Sequence, residues 1–235
     1  MSTSASPVNL LKRLVPRPLK RVMKDAYRRR MLDDALRHVS RLAPRETPSP
    51  ALLDDLQEGW ANHGMAARTD YLAEVCRQGV RAERAVLECG SGLTTLLLGL
   101  LAGRRGVGVW SLEHLPEWRK RVASALARHD IREVHLLLAP LESYGAFTWY
   151  SAKEPLPARF DLVVCDGPPS DTRGGRYGLL PVMRDRVDAH TIILLDDAER
   201  PSENQVLRQW KDDAAVTIAV RETPSGAFAL IRDII

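Results

Sequence analysis

Four apolar runs in this chain each end in acids. "AVLECGSG" carries Glu88 just ahead of Gly90 and Gly92. "GVWSLE" closes at Glu113, "FDLVVCD" at Asp166 and "HTIILLDD" at Asp196 and Asp197. Glycines after a strand let the backbone turn sharply and approach a ligand with no Cβ in the way. A helix starting near Leu93 then aims its free N–H groups at that ligand. A dinucleotide fingerprint reads G-x-G-x-x-G, whereas Gly90-Ser91-Gly92-Leu93-Thr94-Thr95 lacks the third glycine. Glu88 beside the turn repels a pyrophosphate and welcomes a cation. Glu113 stands where open α/β sheets place a carboxylate for ribose hydroxyls. The implied ligand has a cationic end, a ribose and no phosphate. Asp166, Asp196 and Asp197 would repel one another on a shared edge. A shared hard cation such as Mg²⁺, a shared proton or a bound cationic group would each relieve them. Without a metal, one of them is a general base or an anchor for a substrate amine or hydroxyl.

The elements that must position these acids alternate. "AVLEC", "GVWSLE", "EVHLLLA", "FDLVVCD" and "HTIILLDD" read as strands, with helices at Leu93–Ala102, "PEWRKRVASALARH", "GLLPVMRDRVDA" and "SENQVLRQWKDD" among them. "PLESYGAFTWYSAKEPLPAR" is less regular. "AVTIAVRE" and "AFALIRDII", split by "TPSG", form a hairpin. This predicts an α/β fold: an open, mostly parallel sheet of seven strands, helices on both faces and an antiparallel last strand. Ligands of such sheets lie beyond the C-terminal strand ends. Ahead of the sheet, helices are expected in "MLDDALRHVSRLA", in "ALLDDLQEGW" capped by Ser49, and in "TDYLAEVCRQGV" capped by Thr69.

"LECGSGLTT", "SLEH" and "FDLVVCDGPP" resemble the first, second and fourth motifs of class I S-adenosylmethionine-dependent methyltransferases. "RYGLLPVM" and "ILLDDAERPSE" resemble a bacterial small-molecule subset of them. The resemblance spans about Thr69 to Ile235 and implies a Rossmann-like domain. It implies that Glu88, Gly90 and Gly92, with Ser91 and Thr94 in the same turn, hold the amino-acid end of S-adenosylmethionine. Glu113 would take the ribose and His114 would lie beside the adenine, with the Leu141 backbone or Glu142 meeting its amine. Asp166 would lie near the sulfonium methyl. Catechol-type relatives bind Mg²⁺ through an acid after the fourth strand and Asp-Asn after the fifth, where this chain has Asp-Asp. The resemblance implies O- or N-methylation of a small-molecule acceptor. A non-catalytic binding module and a macromolecular acceptor are the alternatives. No aromatic residue follows Asp166-Gly167-Pro168-Pro169 until Tyr177, so a motif for stacking a flipped base is missing.

The whole chain sets bounds on these readings. Its 235 residues, 45% of them hydrophobic, suit one domain with an extension. The division is placed at 1–47, a basic and partly helical arm, and 48–235, the methyltransferase domain. Residues 1–45 carry 12 Lys and Arg against 3 Asp and Glu, while the whole chain nets only +4. An arm so charged is expected either to be solvated or to touch an anionic surface or partner. Its apolar residues (Val8, Leu10, Leu11, Leu14, Val15, Leu19, Val22, Met23) make an amphipathic helix only in pieces, because Pro16 and Pro18 interrupt it. No run is long enough to span a membrane. Three cysteines without metal-ligand spacing read as reduced core residues. The expected location is cytoplasmic or peripheral at a membrane surface, and an oligomer is allowed. Trp149 and Tyr150 are candidates for a substrate pocket and His63 for closing over the cofactor. The glycine-rich loop Ser170–Tyr177 is a candidate lid, with Arg173 and Arg176 either meeting an acidic substrate or solvated.

Overall fold

The computed structural model describes residues 16–62 and 67–235, so Val8 to Val15 of the arm and His63 lie outside the described residues. Helices α1 (Arg17–Arg41), α2 (Pro50–Trp60) and α3 (Thr69–Gly79) precede the sheet. There follow β1 (Ala85–Cys89), α4 (Leu93–Leu101), β2 (Gly108–Glu113), α5 (Pro116–Arg128) and β3 (Val134–Leu138). A small hairpin, β4 (Leu141–Ser143) and β5 (Thr148–Tyr150), leads to β6 (Leu162–Cys165), α6 (Leu179–Met183), β7 (Ile192–Leu195) and α7 (Pro201–Asp213). β8 (Thr217–Thr223) and β9 (Gly226–Arg232) close the chain.

The seven-stranded sheet has the order β3-β2-β1-β6-β7-β9-β8. Its first five strands are parallel, and β9 runs antiparallel to both β7 and β8. The order switches between β1 and β6, where parallel strands part and leave room at their C-terminal ends. Strand residues alternate between two cores. Val86, Val109, Leu136, Val164 and Leu194 face α1 to α5, whereas Leu87, Leu112, Leu137, Val163 and Leu195 face α6, α7, Trp149 and Trp210. All three cysteines are free and buried.

Local chemistry accounts for the boundaries. Ser49 Oγ accepts the Leu52 amide at 3.3 Å with Pro50 in the first turn, as the sequence suggests. The cap of α3 is Arg68 rather than Thr69, whose hydroxyl donates to Asp54 at 2.8 Å instead. "GLLPVMRDRVDA" forms only the short α6 and one 3-10 turn before Val187 turns extended. The irregular stretch after β3 contains the β4–β5 hairpin.

The arm differs most from expectation. From Arg17 to Arg41 the arm is one helix, with Pro18 in its first turn, where no amide hydrogen bond is lost; the stretch before Pro16 lies outside the described residues. The core crosses the division expected at residue 47. Ala35, Leu36 and Val39 of α1 are buried with Leu53 and Leu56 of α2. Arg104 Nη1 donates to the Leu42 carbonyl at 2.7 Å, fastening the end of α1 to the domain.

Candidate functional site

A cavity of about 700 Å³ opens beyond the C-terminal ends of β1, β2, β6 and β7. Gly90, Ser91, Glu113 and His114 line one side, and Asp166, Asp196 and Asp197 the other. Gln57, Arg68, Trp118, Tyr150, Arg176 and Arg200 complete the wall.

The β1–β2 side is built by main-chain geometry. Gly90 adopts φ +91°, and a Cβ there would stand 3.0 Å from the Gly167 amide nitrogen. Only glycine sits there without strain. The Ser91 amide and hydroxyl both donate to Glu113 Oε2, at 3.1 and 2.7 Å, and the Leu115 amide donates to Oε1 at 2.9 Å. Three donors therefore fix the Glu113 carboxylate at the cavity wall. Trp118 Nε1 donates to the Ser91 carbonyl at 2.6 Å and steadies the turn from above. His114 Nδ1 is buried 3.3 Å from Glu113 Oε1 without hydrogen-bond geometry, and the buried Tyr150 hydroxyl takes no partner from the described residues.

Glu88 lies beneath this turn, fully buried. Its Oε2 accepts from Ser111 Oγ and Thr95 Oγ1, and Thr95 Oγ1 in turn accepts the Gly92 amide at 2.8 Å. Oε1 takes no hydrogen bond from the described residues. Burial pushes the Glu88 carboxyl up to about 7, against the opposing pull of its hydroxyl donors.

The β6–β7 side is built by charge. Asp166, Asp196 and Asp197 each bring a carboxylate oxygen within 4.8 Å of the others. Arg176 is only 2% exposed and inserts among them. Its Nη2 donates to the Asp166 carbonyl (2.8 Å), Asp166 Oδ1 (3.2 Å) and Asp197 Oδ2 (3.0 Å), and Nη1 donates to the Asp196 carbonyl at 2.6 Å. Arg200 Nη2 holds Asp197 Oδ1 at 2.9 Å. Behind the guanidinium, Glu203 Oε1 lies 3.8 Å from Arg176 Nε and accepts the Ser170 hydroxyl at 2.8 Å. Burial, with Asp166 and Asp197 nearby, raises the Asp196 carboxyl to about 8. Burial also raises Asp166, and Arg176 opposes that shift.

No family model matches the sequence, and no curated protein matches it. Solved structures do share its architecture. The SAH-bound methyltransferase PaMTH1 of Podospora anserina matches with a TM-score of 0.54 at 14% identity, over 99% of this chain and 98% of its own. The O-methyltransferase TomG of Streptomyces achromogenes, involved in tomaymycin synthesis and solved with SAM, matches at 0.52 and 16%, over 83% and 94%. The tRNA (m1A58) methyltransferase TrmI of Aquifex aeolicus matches at 0.53 and 12%, over 80% and 76%. The chain has the fold of these methyltransferases.

Within that methyltransferase fold, the residues singled out in the sequence separate into two groups. Gly90, Ser91, Glu113, His114, Asp166, Asp196 and Asp197 converge on the cavity. Glu88, Gly92, Thr94, Leu141 and Glu142 do not line it. Glu88 and Thr94 are buried under the turn. Leu141 and Glu142 pair with Tyr150 and Trp149 across the hairpin, and that pairing brings Tyr150 rather than Leu141 to the wall. Trp149 is fully buried packing.

Arg176 is the residue that sequence reasoning undervalued. Neither solvated nor free to meet a substrate, it is the internal counter-charge of the acidic edge. It also pins the loop expected to be a lid, which is tied down further by the Arg173 carbonyl accepting the Thr148 amide at 2.9 Å. Asp166, Asp196 and Asp197 stand close enough to offer a cation three carboxylate oxygens, and Mg²⁺ completes its shell with water. Basic side chains already compete for that place. Here the guanidinium occupies Asp166 Oδ1 and Asp197 Oδ2, Arg200 occupies Asp197 Oδ1, and Asp196 Oδ1 accepts the Asp197 amide at 2.8 Å.

Proposed function

We propose that this chain is an S-adenosylmethionine-dependent methyltransferase acting on the oxygen or nitrogen of a small-molecule acceptor. One observation carries the reading. A single cavity is walled on one side by the oriented Glu113 carboxylate and the bare Gly90 turn, and on the other by three carboxylates. The first side suits a ribose and an amino-acid end, the second an acceptor that must lose a proton. The methyltransferases of Podospora and Streptomyces with the same fold carry SAH and SAM in their structures.

When bound, the cofactor supplies an already activated methyl on a sulfonium. What remains for the protein is alignment and proton removal. Glu113, held by three donors, orients the ribose. Ser91 and Gly90 bring the backbone close enough to fix the amino-acid end. Alignment of two reactants in one site supplies about 7–11 kcal/mol of a barrier. Asp196, raised to about 8 and reaching the cavity with Oδ2 free of hydrogen bonds from the described residues, receives the acceptor's proton once it has given up its own to solvent. Asp166 and Asp197 pair with Arg176 and Arg200 and orient the acceptor. Arg176 and Arg200 supply the cations that face these acids.

Calorimetric titration with S-adenosylmethionine and its demethylated product tests the reading. Saturable one-site binding, abolished in Gly90→Val and weakened in Glu113→Ala, is the expected result. Unchanged affinity in both variants would remove the site assignment, and no binding to the wild-type protein would remove the function. Transfer of a labelled methyl to a folded RNA or protein, with none to small acceptors, would overturn the acceptor class.

A further inference from the structure

The first three turns of α1 have no part in the site and stand clear of the core. Residues 16–27 are all exposed. They carry Leu19, Val22, Met23 and Tyr27, at 50%, 59%, 60% and 64% exposure. Spacings of three and four residues place these four side chains on one helix face. At about 100° per residue, that face is turned roughly 160° from the face that buries Leu32, Ala35, Leu36 and Val39. The helix therefore has two apolar stripes. The lower one is used by the core, and nothing among the described residues covers the upper one.

Charge decides what fits the upper stripe. Between Arg17 and Arg30 the helix carries Arg17, Lys20, Arg21, Lys24, Arg28, Arg29 and Arg30 against Asp25 alone. Arg28 is used internally on Glu58 at 2.8 Å. Of the others, Lys20, Arg29 and Arg30 lie in or beside the stripe, whereas Arg17, Arg21 and Lys24 lie toward the far side of the helix. A second copy would bring an equally cationic helix and be repelled. A nucleic acid would satisfy the cations but give the apolar stripe no partner. An anionic lipid surface meets both needs, taking apolar side chains below the headgroups and cations among them.

We propose that the amino-terminal half of α1 is a docking helix for an anionic membrane surface, which it lies on rather than crosses. The lower half, held by Val39 and by the Arg128–Asp33 ion pair, anchors it to the domain. No described helix is long and apolar enough to cross a membrane.

Sedimentation of the full chain with vesicles tests the proposal. One set of vesicles is neutral phosphatidylcholine, and the other includes about 30% phosphatidylserine. The expected result is binding to the anionic set alone, weakening steeply with salt. Leu19→Ser with Met23→Ser leaves the charge unchanged and should lower binding about tenfold or more. Lys20→Gln with Arg29→Gln leaves the stripe unchanged and should lower binding comparably. All four positions are exposed, so an unchanged melting curve confirms folding in each variant. The proposal is overturned by equal binding to neutral vesicles, by no binding, or by full binding of the serine variant. RNA binding without vesicle binding, or a wild-type dimer that the serine variant dissociates, would overturn it in favour of the other occupants.

Discussion

The two sides of the cavity are made by different means. On the β1–β2 side, main-chain geometry does the positioning. Gly90 turns, Ser91 donates twice to Glu113, and the partners come from adjacent strand ends in register. On the β6–β7 side, Arg176 comes from a loop, bridges the Asp166 and Asp197 carboxylates beyond two strands and donates to the Asp196 carbonyl. The first side is shaped by the Gly90 turn and by the Ser91 and Leu115 amides that hold Glu113. The second depends on one buried cation. The difference teaches that a motif of acids at strand ends does not define its own counter-ion. A metal, a proton and an arginine are interchangeable on paper, and only the packing chooses.

Removing that cation should have the largest effect. Arg176→Met leaves Asp166, Asp197 and Glu203 facing one another in a buried site, and loss of one partner from such a cluster costs about 3–5 kcal/mol. Urea unfolding should show a fall of that size. Arg176→Lys should recover only part of it, because an ammonium cannot reproduce the planar fork. A loss under about 1 kcal/mol in Arg176→Met would mean that solvent screens the edge as it does surface pairs.

The contrasting substitution lies across the cavity. Gly90→Val forces a branched side chain to φ +91° and against the Gly167 amide. Strain of this kind costs about 1–3 kcal/mol. Cofactor binding should disappear while the fold survives, and unaltered binding would show that the turn is not the cradle.

A third comparison uses pH. The folded Asp196 carboxyl sits near 8, above the usual carboxylate range, so the folded state keeps a proton that the unfolded chain releases. This group's contribution is therefore fully present at acid pH, and stability declines as pH rises through the window up to about 8. Denaturation midpoints measured across that window should fall in the wild type and fall less in Asp196→Asn. Equal slopes would place Asp196 among ordinary solvated acids. Turnover should run the opposite way, rising as Asp196 loses its proton.

The smallest effects are expected where the structure removes residues from the site. EDTA should leave methyl transfer within about twofold of the untreated rate, because arginine rather than a metal balances the acids. Glu142→Ala, on the exposed strand of the small hairpin, should change cofactor affinity by no more than about 0.5 kcal/mol. A large loss in either experiment would restore the catechol-type metal site or the adenine contact that the family resemblance implies.

The sheet was legible because its strands alternate with helices and end in acids or glycines, and strand ends share an edge by topology alone. Glu113 and Asp166 reach the cavity for that reason. Glu88 was legible as important but not as buried. Its position follows from Ser111 and Thr95, hydroxyls that the sequence gives no reason to pair with an acid 23 and 7 residues away. Arg176 was the least legible. It sits among glycines and another arginine in a loop that reads as solvent-facing, and its partners are 10 to 27 residues distant. The one available signal was stoichiometric, since three converging acids without an obvious metal set require a cation from somewhere. Pro18 was ambiguous for a simpler reason. A proline ends a helix or begins one depending on where the first turn falls, and the sequence before it does not say.

The most direct test of the account is a crystal of the full chain soaked with S-adenosylhomocysteine. The account predicts density running from the Gly90–Ser91 turn to Glu113, with both ribose hydroxyls on that carboxylate and the sulfur facing Asp166. Density elsewhere, or an empty cavity at a concentration that saturates binding in solution, would contradict it.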